Sequence, residues 1–213
     1  MKKTVLFDLD GTLTDSGEGI IHCAILTLEY FGLPIPSQEE LRTFVGPPLQ
    51  DSFLRFGVPV DKTGEAIRVY RSHYVPTGMF ENTPYPGVRE LLETLKSEGY
   101  TLYVATSKPE AMSVTILEHF DLARYFNRIC GASTDTSRST KGAVIAYLLE
   151  QTGSANDMVM VGDTKYDILG AKIHGIPAIG VSWGYGNVQE MTYAGAVGIA
   201  GTMDDLLNIL HGM

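Results

Sequence analysis

Val5-Leu6-Phe7 is an apolar run that stops at two carboxylates one residue apart, Asp8 and Asp10, with Gly11 directly behind them. A second run, Met158-Val159-Met160-Val161-Gly162, ends in the same way at Asp163. Strands without polar alternation are buried on both faces, and a parallel sheet covered by helices on each side provides that burial. The texture from Pro86 onward agrees. Strand patterns at 101–105, 129–131, 158–162, 176–181 and 197–199 alternate with helical ones at 88–97, 109–120, 140–151, 166–174, 188–194 and 203–210. This alternation predicts an α/β fold, a Rossmann-like doubly wound parallel sheet whose ligands bind beyond the carboxyl ends of its strands.

The stretch between the first strand and Pro86 breaks the alternation. Ile20, Ile21, Ala24, Ile25, Leu28 and Phe31 recur at helical spacing, with Asp15 or Ser16 in position to cap the helix. Ser37-Gln38-Glu39-Glu40 has the form of a capping box that opens a second helix toward Val45, and helical patterns resume over 49–56 and 63–74. No strand pattern occurs from 15 to 80. Residues 1–14 and 82–213 are therefore expected to form the α/β core and residues 15–81 an inserted all-helical cap, with linkers near 14–17 and 81–84.

A chain of 213 residues can bury a substantial core unaided. Its net charge of −9 argues against nucleic acid polymers and anionic membranes as partners. A bound cation and a few local lysines can still reverse the sign within one cleft. No apolar stretch reaches the length of a membrane-spanning helix, and the basic start Met1-Lys2-Lys3 leads into an apolar run that Asp8 cuts short, so no export leader is expected. Cys23 and Cys130 lie far apart without a metal-binding neighbour and read as buried thiols of a reducing, cytoplasmic protein. Monomer and homodimer both remain open.

In a parallel sheet, the ends of strands 5–9, 101–105 and 158–162 share one crevice. The first carries Asp8 and Asp10, the second Thr106, Ser107 and Lys108, and the third Asp163 with Asp167; Lys141 opens the helix between the second and third. Each has a plainer reading in isolation. Asp-Gly is a turn signal, a hydroxyl before Pro109 caps a helix, and a lysine in a first helical turn opposes the dipole and is usually solvated. Together they make a place for a cation and a phosphate. Hard carboxylate oxygens favour Mg²⁺, which typically sits on one or two carboxylates with waters and a substrate phosphate.

The run Asp8-Leu9-Asp10-Gly11-Thr12-Leu13-Thr14-Asp15-Ser16, followed by Thr106, Lys141, and Gly162-Asp163 with Asp167, resembles the motif order of the haloacid-dehalogenase-like hydrolases, most of which are Mg²⁺-dependent phosphatases. The resemblance implies that Asp8 is a nucleophile forming an aspartyl-phosphate. It makes Asp10 the general acid and base, keeping a proton while the metal and Lys141 hold Asp8 charged. Thr106, the Ser107 backbone N–H and Lys141 are the implied phosphate binders, and Asp8, the Asp10 carbonyl, Asp163 and Asp167 the implied Mg²⁺ ligands. A small phosphorylated metabolite is the implied partner.

Family dehalogenases lack the second aspartate and the cation pumps carry threonine there, so Asp10 argues against both. The β-phosphoglucomutases, which are sugar-phosphate mutases, keep the pair but carry a cap histidine where this chain has Ile20. His22 falls on another face of the helix, which favours hydrolysis. A non-catalytic regulator on the same fold would be expected to lack an acidic residue, and none is missing. The cap resembles those of phosphoglycolate phosphatases and of a 5′-nucleotidase-like subgroup, the latter most closely at Phe44-Val45-Gly46-Pro47-Pro48-Leu49. Gly46, Pro47 and Arg42 are the expected specificity positions.

Overall fold

A computed structural model describes residues 4–135, 137–153 and 155–213; the basic start at 1–3 lies outside them. The chain divides into two compact units, Met1–Thr14 with Pro84–Met213, and Asp15–Thr83. The strands are β1 (Thr4–Phe7), β2 (Thr14–Asp15), β3 (Thr83–Pro84), β4 (Thr101–Pro109), β5 (Arg128–Ala132), β6 (Met158–Gly162), β7 (Ala178–Val181) and β8 (Gly198–Ala200). The short β2 and β3, where the chain crosses from one unit to the other, form a sheet of their own. The other six form one sheet in the order β5-β4-β1-β6-β7-β8, with parallel pairing throughout. Counted by appearance, that is the 3-2-1-4-5-6 order of a doubly wound sheet, whose winding reverses beside β1.

The unit Asp15–Thr83 holds α1 (Gly17–Tyr30), α2 (Gln38–Arg42), α3 (Leu49–Arg55) and α4 (Thr63–Tyr74). The larger unit holds α5 (Val88–Ser97), α6 (Glu110–His119), α7 (Lys141–Thr152), α8 (Lys165–Lys172), α9 (Val188–Ala194) and α10 (Met203–Gly212). Both faces of β1 are covered: Val5, Leu6 and Phe7 are all sealed from solvent. On one face, Leu6, Ala105 and Met160 pack with Val144 and Leu148 of α7 and Ile168 of α8 in a single core cluster. Phe7 lies level with Val104 of β4 and Val161 of β6, so Asp8 leaves the sheet where β6 is about to end and β4 is about to lose its regular register. No helix among the described residues is long and apolar enough to cross a membrane.

The elements follow the sequence pattern, with differences at their ends. β4 runs on to Pro109, with an irregularity between Ala105 and Pro109 that places Thr106, Ser107 and Lys108 in a distorted strand end. Ser16 does not cap α1. It sits at φ −95° and ψ 5°, outside the extended region from which an N-cap hydroxyl reaches the first turn, and Asp15 Oδ1 accepts from the Gly17 N–H instead at 3.4 Å. Asp15 also joins the two-residue β2, a pairing too short to leave a periodic signal. In the smaller unit the capping box forms as expected: Ser37 Oγ accepts from Glu40 N–H at 3.3 Å, and Glu40 Oε2 accepts from Ser37 N–H at 2.9 Å. The helix is shorter than expected, ending at Arg42, and the turn to α3 carries Gly46 at φ +106°. That φ lies in the left-handed region that favours glycine. Phe44, Phe53, Phe56, Tyr70 and Tyr74 stack into an aromatic core for this unit.

Candidate active site

Asp8 follows β1 with its N–H still donating to Val161 O of β6 at 2.9 Å, so it stays in register with the neighbouring strand. The chain then turns at Gly11, whose φ of +77° a side chain rarely adopts and where a Cβ would lie 2.2 Å from Asp163 Oδ2. The Gly11 turn and Asp163, distant in sequence, therefore meet only because no side chain intervenes.

Lys141 is the first residue of α7, behind the N-cap Thr140. Its buried ammonium lies 2.8 Å from each of Asp8 Oδ1, Asp167 Oδ1 and Ala105 O, one oxygen for each N–H. The solvated lysine expected of that helix position does not occur, because two carboxylates and a strand-end carbonyl take up its charge. Asp167 is anchored from its other side: its Oδ2 accepts from Thr164 N–H at 3.0 Å and from Thr164 Oγ1 at 2.8 Å, closing a capping box on α8. Asp163 Oδ2 accepts from Tyr185 N–H at 2.8 Å, and Thr12 Oγ1 donates at 3.5 Å to its other oxygen.

Asp8, Asp163 and Asp167 each offer an oxygen within 4.8 Å of the others. Burial pushes the Asp8 carboxyl above the usual carboxylate range; Lys141 and the Thr106 hydroxyl pull it down and Asp167 pushes it up again. Burial, with Asp167 and Asp8 nearby, pushes Asp163 up to about 8. For Lys141, burial acts to lower the pKa, but Asp167 and Asp8 outweigh it and the net direction is upward. Three dry carboxylates share one ammonium, so the pocket is short of positive charge. A hard divalent cation fits this oxygen-only donor set.

Asp10 meets a different lysine from Asp8. Lys108 Nζ lies 2.8 Å from both of its oxygens, the geometry of a carboxylate gripped by an ammonium. The bulged end of β4 brings Lys108 there. Thr106 is buried beside it and its Oγ1 accepts from Lys108 N–H at 3.2 Å, with Ser107 half-buried between them. Neither hydroxyl caps α6, whose N-cap is Pro109, so the plainer reading of this pair falls away. Arg42, Gly46 and Pro47 belong to the unit Asp15–Thr83, at the end of α2 and in the turn behind it.

Sequence reasoning missed two contributions. Lys108 is named with Thr106 and Ser107 at the strand end, but the pattern assigns it no partner, and its contact with Asp10 emerges only in the structure. The run Trp183-Gly184-Tyr185-Gly186, behind β7, supplies the Tyr185 N–H to Asp163, while Trp183 Nε1 donates to Thr12 O at 3.1 Å. Glycines alternating with aromatics just past an apolar strand were the available signal.

The raised carboxyl makes a pH prediction. An acid whose folded-state pKa lies above its unfolded value binds more protons folded than unfolded, so stability falls as pH rises between the two values. For Asp163 that window runs from the ordinary carboxyl value of 3.8 to about 8. Metal-free protein is expected to melt at a lower temperature at pH 8 than at pH 5.5, with excess Mg²⁺ narrowing the gap. Thermal unfolding in chelator-treated buffer checks this, and a melting temperature that rises across the window would contradict it.

Residues 5–181 match the family model of the haloacid dehalogenase-like hydrolases. The chain is 41% identical over 189 residues to a 5′-nucleotidase of Pseudomonas aeruginosa, covering 88% of this chain and 86% of that one. It is 40% identical over 209 residues to tyrosine-protein kinase PtkA of Mycobacterium tuberculosis, covering 97% of this chain and 72% of that one. The crystal structure of a predicted phosphatase from Clostridium acetobutylicum aligns with a TM-score of 0.95 at 42% identity, covering 100% of both chains.

Proposed function

The chain belongs to the haloacid dehalogenase-like hydrolase family and is one of its phosphatases, and we propose that it hydrolyses small phosphomonoesters with Mg²⁺ through an aspartyl-phosphate on Asp8. What carries this reading is the buried meeting of Asp8, Asp163 and Asp167 at the ends of the adjacent strands β1 and β6, with Lys141 between two of them.

Asp8 Oδ1 is held by Lys141, which orients the carboxylate and leaves its other oxygen to attack phosphorus. Asp163 and Asp167, with Asp8 and the Asp10 carbonyl, would hold the cation. When bound, Mg²⁺ orients the phosphate and offsets its charge. Thr106 and the Ser107 N–H, at the distorted end of β4, would receive phosphoryl oxygens, while Lys141 lends its charge from behind Asp8. Asp10 would give a proton to the leaving oxygen and take one from the water that cleaves the intermediate. Lys108 Nζ contacts both Asp10 oxygens, so a proton transfer at either one requires that contact to open there.

Hydrolysis rather than phosphoryl shuttling is supported by Ile20 and His22. Ile20 is buried, and His22 Nδ1 pairs with Glu81 Oε2 at 2.8 Å within its own unit. The substrate class we favour is the 5′-nucleotides, with phosphoglycolate second, and Arg42, Gly46 and Pro47 as the positions that touch the leaving group. The kinase name of one relative points to another acceptor for a phosphoryl group, and the assay includes it. Purified protein with Mg²⁺ is tested against nucleoside 5′-monophosphates, phosphoglycolate, sugar phosphates, pyrophosphate and phosphotyrosine. Nucleoside monophosphates are expected to lead in kcat/KM by about tenfold. Three results would each displace the proposal: no turnover of any monoester, isomer formed from β-glucose 1-phosphate faster than phosphate, or transfer from ATP to a tyrosine peptide outrunning phosphate release.

A further inference from the structure

We infer that the loop Trp183–Gly186, at the carboxyl end of β7, is a positioning element for the metal centre: it occupies one oxygen of Asp163 and locks the Gly11 turn against that side chain, so that Asp163 presents a single oxygen to the cation. The inference rests on the reading that Asp8, Asp163 and Asp167 hold a divalent ion.

Three observations within the larger unit carry it. The Tyr185 N–H donates to Asp163 Oδ2 at 2.8 Å, while among the described residues Oδ1 has the long Thr12 contact at 3.5 Å. The loop could not come this close with side chains at its glycines. A Cβ on Gly184 would lie 2.3 Å from Gly11 O and 2.4 Å from Asp163 Oδ2, and one on Gly186 would lie 1.8 Å from Asp163 O. Gly184 is thus wedged between the turn that follows Asp8 and the side chain that follows β6. Third, the indole of Trp183 anchors the loop from the far end, donating to Thr12 O at 3.1 Å and meeting the Tyr85 ring edge-on at 6.5 Å between centroids.

The consequence is chemical. A carboxylate free at both oxygens swings between one-oxygen and two-oxygen ligation, and Mg²⁺ tolerates only near-octahedral placement. A backbone N–H on one oxygen removes that freedom, as partners behind metal ligands generally do. The donor is a main-chain group, so no side-chain motif encodes it; the coding lies in the two glycines and the tryptophan that bring the backbone there.

The test is Mg²⁺ titration by calorimetry on the full chain, with the metal-free melting temperature and kcat at saturating Mg²⁺ measured alongside. Gly184→Ala is expected to weaken Mg²⁺ binding by about ten- to a hundredfold, with kcat largely recovered at saturating Mg²⁺. Trp183→Phe keeps a ring but loses the bond to Thr12. It is expected to weaken Mg²⁺ binding by about threefold or more with little change in the metal-free melting temperature, and it decides the matter if Gly184→Ala does not fold. A loop that is only structural would lower the melting temperature and leave Mg²⁺ affinity untouched; that result overturns the inference while the metal centre stands. Wild-type protein that takes up no Mg²⁺ overturns the metal centre, and the inference with it.

Discussion

Asp8→Asn is expected to reduce Mg²⁺-dependent phosphate release from p-nitrophenyl phosphate to background, a loss of about 10³-fold or more, in a protein that stays folded. Asparagine keeps the shape and the hydrogen-bonding length of aspartate but has no anionic oxygen to attack phosphorus. The fold has little to lose. Asp8 is held in a dry pocket where burial already opposes its charge, and Lys141 retains Asp167 and the Ala105 carbonyl as partners. Far-UV circular dichroism and a melting curve beside the phosphate assay separate lost chemistry from lost structure. Undiminished turnover would remove Asp8 from the nucleophile's role.

Lys141→Met is the other large effect, and it appears first in stability. Methionine fills much the same volume but leaves Asp8 and Asp167 facing each other without the ammonium that lies 2.8 Å from each. Removing one partner of a buried ionic group costs about 3–5 kcal/mol, far more than the intact group contributes, because the remaining charge is stranded out of water. Urea unfolding of metal-free protein at pH 8 is expected to show that loss as a lower midpoint with an unchanged slope. Two conditions should recover part of it. Mg²⁺ supplies the missing positive charge, and acid protonates the carboxylates. A midpoint equal to wild type, or one indifferent to both treatments, would mean that Lys141 is not the counter-charge described here. Turnover is expected to fall as well, since Asp8 loses the group that aims it.

The sheet was legible because its strands are buried on both faces. Val5-Leu6-Phe7 and Met158–Gly162 carry no polar alternation, and that pattern has few homes besides a covered parallel sheet. Asp8, Asp163 and Asp167 were legible for a related reason, since parallel strands deliver their ends to one side. The partners were harder to see. Lys141 in a first helical turn reads as solvated until β4, β1 and α8 are brought around it, and Lys108 meets Asp10 only because β4 lies next to β1 and is distorted near its end. Such pairings depend on strand order, which local pattern does not contain. The contribution of Trp183–Gly186 is further hidden, because the group that bonds to Asp163 is a peptide N–H common to nearly every residue.

The pairing of β2 with β3 has a consequence for the history of such a chain. Residues 14–15 and 83–84 run side by side, about 5 Å apart as adjacent strands do, so everything from 15 to 83 leaves the host sheet and returns through one doorway. A guest that enters and exits at the same threshold asks nothing of the host's threading, and deletion, enlargement or exchange leaves the order of the six main strands alone. The insertion of residues 15–83 therefore leaves the acids behind β1 and β6 on a continuous host sheet.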